Sequence, residues 1–187
     1  MGQIEEIRFC GFGGQGIVLA GTILGYAVVE DGKYVAESNS YGPSARGSLC
    51  KADVVISNEP ITYPHIIRTD ILIALSQKSY NKYIREAKDN SLVIYDENAV
   101  DLKPDFNCKH VKVPATTEAV TQLNNRQVAN TIMLAATVGL TKIISNESLY
   151  SAVKECVPER FLDVNMKAIA IGLELGQRIR KRDSQKC

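Results

Sequence analysis

Two short stretches hold the residue types from which a binding site is made. The first is Gly11-Phe12-Gly13-Gly14-Gln15-Gly16, which satisfies G-x-G-x-x-G. An apolar run at residues 7–10 precedes it and a helical pattern begins at Ile17, so it reads as the turn from a strand into a helix. Glycines let a backbone approach an anion closely, and the N–H groups of a helix N-terminus favour negative charge. Glu37, at the end of a second strand over residues 34–38, stands where a dinucleotide-binding protein places the acid for its ribose. Two readings stay open: a nicotinamide-type nucleotide site, or a tight strand–helix turn that packs or meets a partner. The chain offers no second-half acid, base or nicotinamide site and is too short for a separate substrate domain, which counts against the nucleotide.

The second stretch is Ser40-Tyr41-Gly42-Pro43-Ser44-Ala45-Arg46-Gly47-Ser48. Gly42-Pro43 fixes a turn. Tyr41 offers an aromatic face and a hydroxyl. Arg46, between Ala45 and Gly47, is an unobstructed guanidinium suited to a phosphate or a carboxylate. This is either a ligand or subunit-interface loop, or a loop stiffened for assembly with Arg46 in an internal ion pair. Asn130 and Asn165 fall in helical stretches, where a buried amide must find partners; each braces a loop or touches a ligand. His65 and His110 are the only histidines, and His65 reads as structural or exposed. Cys10, Cys50, Cys108, Cys156 and Cys187 are odd in number and never in C-x-x-C spacing. That argues against a disulfide framework, a zinc site or cluster ligation, and for a reducing cytoplasm. No Ser/His/Asp set, paired carboxylates or metal constellation stands out, so no catalytic and no metal-binding residue is assigned.

These loops need a scaffold. At 187 residues, 45% apolar and 23% charged, the chain has the balance of one folded domain. A formal net charge of +1 gives no reason to expect nucleic acid or a membrane surface, and it favours association with partner subunits. The apolar stretches fall short of a membrane span, and the first residues are acidic where a signal peptide is basic. Residues 17–30 read as a helix stopping near Gly32. From Cys50 the alternation Cys50, Ala52, Val54, Ile56 against Lys51, Asp53, Ser57 predicts a half-buried strand, antiparallel to the second if they pair. Residues 70–75 and 92–95 are continuous apolar runs around a helix-like stretch at 79–88, a βαβ unit. A short strand at 110–113 ends at Pro114. The remainder is helical: 127–138, then a helix capped by Ser145 running to Cys156, then one opened by Pro158 running to about Arg180. The expected class is α/β: a largely parallel sheet with one antiparallel excursion, helices on both faces and a C-terminal helical cap. Ligands in such a sheet sit beyond the carboxyl ends of the strands. Here that means the glycine loop, Ser76-Gln77 and Asp96-Glu97.

The segment G-F-G-G-Q-G-I-V-L-A-G (residues 11–21), followed by S-Y-G-P-S-A-R-G (40–47), resembles the γ subunit of 2-oxoacid:ferredoxin (acceptor) oxidoreductases. The likeness continues through A-D-V-V-I-S (52–57), Tyr63-Pro64, D-I-L-I-A-L-S-Q (70–77), V-A-N (128–130) and N-M-K-A-I-A-I-G (165–172), and so spans nearly the whole chain. It departs at Ser48-Leu49, where the family often continues with Gly and small residues. The resemblance implies a single γ-type domain over residues 1–187 with a Rossmann-like fold. It implies a heteromeric enzyme with α and β subunits and a ferredoxin-like δ subunit, converting a 2-oxoacid and coenzyme A to an acyl-CoA and carbon dioxide. Thiamine diphosphate, magnesium and iron–sulfur clusters belong to the partner chains; none is expected on this one. It also implies that Gly11, Gly13, Gly14, Gln15, Gly16, Tyr41, Gly42, Pro43 and Arg46 form ligand or subunit-interface loops, near coenzyme A. The 2-oxoglutarate branch fits best; pyruvate, branched-chain oxoacid and indolepyruvate enzymes have similar chains. A free-standing nucleotide-binding oxidoreductase is the alternative of a different class.

Overall fold

The computed structural model describes residues 4–42, 47–102 and 106–185. Six strands form one sheet: β1 (Ile4–Phe12), β2 (Tyr34–Tyr41), β3 (Leu49–Ser57), β4 (Thr69–Ala74), β5 (Ala87–Asp96) and β6 (Lys109–Val113). Their order is β2-β3-β1-β4-β5-β6. β1, β4, β5 and β6 pair in parallel, while β3 runs antiparallel to both β1 and β2. The expected single antiparallel excursion is therefore β3, inserted between β1 and β2. Directly paired, β2 and β3 are antiparallel, as a short hairpin connection requires.

Helices cover both faces. On one lie α1 (Ile17–Glu30), α3 (Ala115–Leu123), α4 (Ala129–Thr141), α5 (Asn146–Cys156) and α6 (Glu159–Ser184), packed on Ile7, Phe9, Val54, Ile73 and Ile94. On the other, α2 (Gln77–Tyr83) and a 3-10 turn (Ile84–Glu86) bury Tyr80, Tyr83 and Ile84 against Cys10, Leu72, Val93 and Tyr95. The helix expected over 79–88 is thus shorter, and Ala87 already belongs to β5. Ser145 caps α5 by accepting from the Ser148 N–H at 3.1 Å, and Pro158 precedes α6. α6 continues past Arg180 to Ser184. It crosses α4 with backbones nearly touching: a Cβ on Gly176 would lie 2.2 Å from the Ala136 carbonyl oxygen, so only glycine fits there. Among the described residues, no helix is long and apolar enough to cross a membrane.

β3 is not half-buried. Asp53 is 2% exposed, and Arg8, directly opposite it on β1, is fully buried. Arg8 donates Nε to Asp53 Oδ1 at 2.5 Å and Nη2 to Oδ2 at 2.8 Å, contacts Glu86 through Nη1, and lies 5.1 Å from the Tyr83 ring centroid. Lys51 reaches the same Asp53 at 2.6 Å. The period-two pattern predicts a solvent-facing polar row, and here that row is closed by a cross-strand ion pair under α2.

Candidate functional site

The two loops singled out by sequence meet at the carboxyl end of β1. The Gly13 N–H donates to the Ser48 carbonyl at 2.9 Å, and the Gly42 N–H donates to the Leu49 carbonyl at 3.0 Å. The ladder places Tyr41 opposite Cys50, and Cys50 opposite Gly11. Tyr41 therefore stands in the same row as Gly11, two strands or roughly 10 Å away. Pro43 and Arg46 lie outside the described residues.

Most of the glycine loop is occupied with itself. The Gln15 amide spans two strands: its Oε1 accepts from the Phe12 N–H at 2.6 Å, and its Nε2 donates to the Leu75 carbonyl at 2.9 Å. The Gln15 N–H closes the turn onto the Phe12 carbonyl at 3.1 Å. Gly16, at φ 71° just before α1, is held by Asn130, whose Nδ2 donates to its carbonyl at 3.0 Å. A Cβ on Gly16 would fall 2.3 Å from that nitrogen, and one on Gly11 would fall 2.6 Å from Gln15 Oε1. Gly14 differs. Its φ is +95°, and a Cβ there would meet nothing within 4 Å. It is an open position in the loop.

Two grooves flank Gly14. One, of about 320 Å³, lies between Gly14, Gly16 and Leu19, the turn carrying Gln127 and Val128, and the start of α6 at Pro158 and Phe161. The other, of about 160 Å³, is bounded by Gln15, Leu75, Thr116 and Arg126. Among the described residues, Arg126 is the one ionisable side chain lining either. The N-terminus of α1 adds partial positive charge. Apolar walls, amides, one cation and a helix start suit the binding of an elongated ligand with anionic and amide groups. Among the described residues that line the two grooves, Thr116 carries the one hydroxyl, and it donates to Asp96.

The neighbouring candidates are structural. Ser76 caps α2 and shares a 2.8 Å hydrogen bond with Ser79. Gln77 Oε1 accepts from the Asp101 N–H at 2.6 Å. Asp96, 1% exposed, accepts from the Thr116 N–H at 3.2 Å, the Thr116 hydroxyl and the Asn98 N–H. Asn165 accepts from the Thr131 hydroxyl at 2.7 Å and donates to the Phe161 carbonyl at 2.8 Å, so both asparagines brace the structure, and both also line the groove beside Gly14. His65 is exposed, its ring edge-on to Tyr63. Burial pushes the Cys10 thiol, next to the loop, up to about 12, too high to supply a thiolate. Glu37 is not at a strand end, because β2 runs on to Tyr41. It sits on the sheet's edge strand, accepts from Thr22 Oγ1 at 3.1 Å, and is separated from β1 by β3. That is not where a ribose-binding acid stands. Sequence reasoning missed Gln127, Pro158 and Phe161 as groove walls, and the Asn124-Asn125 pair was the available signal. Asn124 takes φ 47° and ends α3, and Asn125 caps the following turn.

The 2-oxoglutarate synthase subunit KorC of Methanocaldococcus jannaschii is 42% identical over 178 residues, covering 94% of this chain and 95% of that one. The γ subunit of a keto/oxoacid ferredoxin oxidoreductase from Geobacter sulfurreducens is 36% identical, with a TM-score of 0.82 over 93% of this chain and 99% of that one. The 2-oxoglutarate:ferredoxin oxidoreductase from Magnetococcus marinus, solved with 2-oxoglutarate, coenzyme A and succinyl-CoA bound, shares the fold at a TM-score of 0.83 and 21% identity. The match takes in 94% of this chain and 31% of that one. Residues 6–175 match the pyruvate ferredoxin/flavodoxin oxidoreductase family, and this chain belongs to it.

Proposed function

We propose that this chain is the γ subunit of a heteromeric 2-oxoacid:ferredoxin oxidoreductase of the 2-oxoglutarate branch. The complex would convert 2-oxoglutarate and coenzyme A to succinyl-CoA and carbon dioxide, with electrons leaving to an iron–sulfur acceptor. The observation that carries this is the end-to-end likeness to a 2-oxoglutarate synthase subunit, 42% identical with almost nothing left over in either chain. Its partners would be α and β subunits and a ferredoxin-like δ subunit. In the complex, thiamine diphosphate with magnesium would supply the chemistry that activates the oxoacid and iron–sulfur clusters would carry the electrons, all on partner chains.

The part left to this chain is binding and positioning. Coenzyme A is anionic at one end and amide-bearing along its arm, and the grooves beside Gly14 have that chemistry. The open backbone at Gly14, the start of α1, Arg126 and, from the sequence, Arg46 would hold its anionic groups. Gln127 and Asn125 would meet the amides of its arm, and Leu19, Val128 and Phe161 its aliphatic parts. Gln15 and Asn130 would act one step back, by keeping the loop in shape.

The test is co-purification of the tagged chain from its native source, followed by dye-reduction assays. Co-eluting thiamine- and cluster-bearing chains, with viologen reduction that needs both 2-oxoglutarate and coenzyme A, are expected. Turnover by the purified single chain, or micromolar NAD(P) binding abolished by Gly13→Val, would instead make it a free-standing nucleotide-dependent enzyme.

A further inference from the structure

β2 is an edge strand whose one charged side chain is Glu37. It runs for eight residues and carries no Lys, Arg or Pro, the residues that usually blunt an exposed edge. The opposite edge shows the contrast: β6 has five residues, among them Lys109 and Lys112. Exposed large apolar side chains stand on both elements: Tyr41 on the α1 face of the strand, Tyr34 at its other end on the opposite face, and Tyr26 and Val29 on α1. Tyr26, Val29 and Val35, with Thr22, Gly25 and Glu37, line a groove of about 250 Å³ along it.

The backbone groups free to pair can be assigned. The Gly42 N–H bonds inward to the Leu49 carbonyl, and along an antiparallel strand inward-bonded residues alternate with outward-facing ones. Ser40, Ser38 and Ala36 therefore bond to β3. Val35, Glu37, Asn39 and Tyr41 turn their N–H and C=O groups to the open edge. The same alternation puts the side chains of these four on the α1 face, where Thr22 meets Glu37.

We infer that this edge pairs, antiparallel, with the same edge of a second copy of the chain, about a two-fold axis through Ser38. In that register Val35 lies opposite Tyr41 of the second copy, Ala36 opposite Ser40, and Glu37 opposite Asn39. At Val35, Glu37, Asn39 and Tyr41 outward groups face outward groups. Tyr41, 67% exposed in the single chain, is brought onto the groove lined by Tyr26, Val29 and Val35, and symmetry repeats the fit. Glu37 meets an asparagine amide, the same pair that bonds within one chain at 3.0 Å. The adjacent in-phase registers are worse. An axis through Glu37 sets two carboxylates face to face, and one through Asn39 places Glu37 against Tyr41. The inference rests on this edge and is independent of the activity proposed above.

Sedimentation equilibrium of the purified full chain at micromolar concentration tests it, and the parent is expected to be a dimer. Asn39→Glu creates two Glu–Glu contacts per interface and should weaken dimerisation by about tenfold. Adding Glu37→Lys to Asn39→Glu turns both contacts into Lys–Glu pairs and should restore the dimer. Both positions are exposed, so thermal melts followed by circular dichroism should show the fold intact in each variant. A monomeric parent, a dimer not weakened by Asn39→Glu, or a double variant that stays dissociated overturns the inference.

Discussion

Asp53→Asn should be among the most damaging conservative changes in this chain. Asp53 and Arg8 are 2% and 0% exposed, and two hydrogen bonds of 2.5 and 2.8 Å join them. Burial alone would lower the Arg8 pKa, but the hydrogen bonds and charges of Asp53 and then Glu86 raise it, so the guanidinium stays charged. An asparagine keeps the shape, removes the charge, and turns an N–H donor toward the donors of Arg8 or Lys51. Breaking a buried pair from one side in this way costs about 3–5 kcal/mol. For a chain of this length that is a fall in melting temperature of about 6–20 °C. Removing both partners differs in kind. Arg8→Met with Asp53→Leu leaves only Glu86 and Lys51, 41% and 24% exposed, which can turn to water. A buried pair replaced by apolar residues of similar volume is often neutral. The double variant should therefore melt well above Asp53→Asn, despite carrying one more substitution. The assay is urea or thermal unfolding of parent, both single variants and the double. If Asp53→Asn lies within about 1 kcal/mol of the parent, water reaches Arg8 and the buried-pair account fails.

Gly14→Ala should cost only the strain of a left-handed residue, about 1–2 kcal/mol, whereas Gly16→Ala adds a collision with Asn130 and should melt lower; equal melting would mean Asn130 is no brace. For Asp31, burial alone would raise the pKa, but hydrogen bonds from the Ser148 hydroxyl and from the Ser145 N–H and hydroxyl lower it. Its stabilisation is thus present above the unfolded pKa of about 3.9 and lost as pH falls through the lower folded value. Asp31→Asn should be less stable than the parent at pH 7 and converge on it in acid, and a gap that persists at low pH would contradict this. Arg46→Ala should leave melting within about 0.5 kcal/mol of the parent, yet weaken coenzyme A affinity or subunit association by about 10- to 100-fold, with only partial recovery in Arg46→Lys. A variant with unchanged assembly and kinetics would make that loop a connector.

The elements that were legible in the sequence are those whose ends are set locally. α1 runs from Ile17 to Glu30 because the glycine loop starts it and Gly32, at φ 74°, stops it; α5 begins after the Ser145 cap. Strand ends were harder to see. β1 begins at Ile4, ahead of the apolar run at 7–10, and β2 runs past Ser38 into Asn39, Ser40 and Tyr41; Glu5, Glu6, Asn39 and Ser40 are polar residues that the apolar pattern does not mark but that stand opposite β3 in the ladder. Asp53 misled for a related reason. A period-two polar position reads as wet unless the neighbouring strand is known to carry Arg8 opposite it, and that neighbour is 45 residues away in the chain. The glycine loop was visible as a local motif. Its flanking grooves were not, because their walls come from the loop, the turn before α4 and the start of α6. The Asn130–Gly16 bond that joins two of these walls spans 114 positions.

The same distinction explains why a dinucleotide-like glycine motif need not make a dinucleotide site. In a fingerprint loop the glycines serve a ligand by clearing space and presenting N–H groups to it. Here Gly11 clears space for Gln15 and Ile17, Gly16 for Asn130, and the N–H groups of Phe12, Gly13 and Gln15 bond to the protein itself. β3 adds the second obstacle: inserted antiparallel beside β1, it pushes β2 and Glu37 to the far edge of the sheet. What reaches outward is Gly14, with the start of α1 behind it and the β2–β3 hairpin tied alongside through Ser48. An open backbone position between two grooves can meet a ligand's end or a partner's loop, but it cannot by itself surround a cofactor. The geometry of the loop thus makes Gly14 a point of contact rather than the floor of an enclosed pocket.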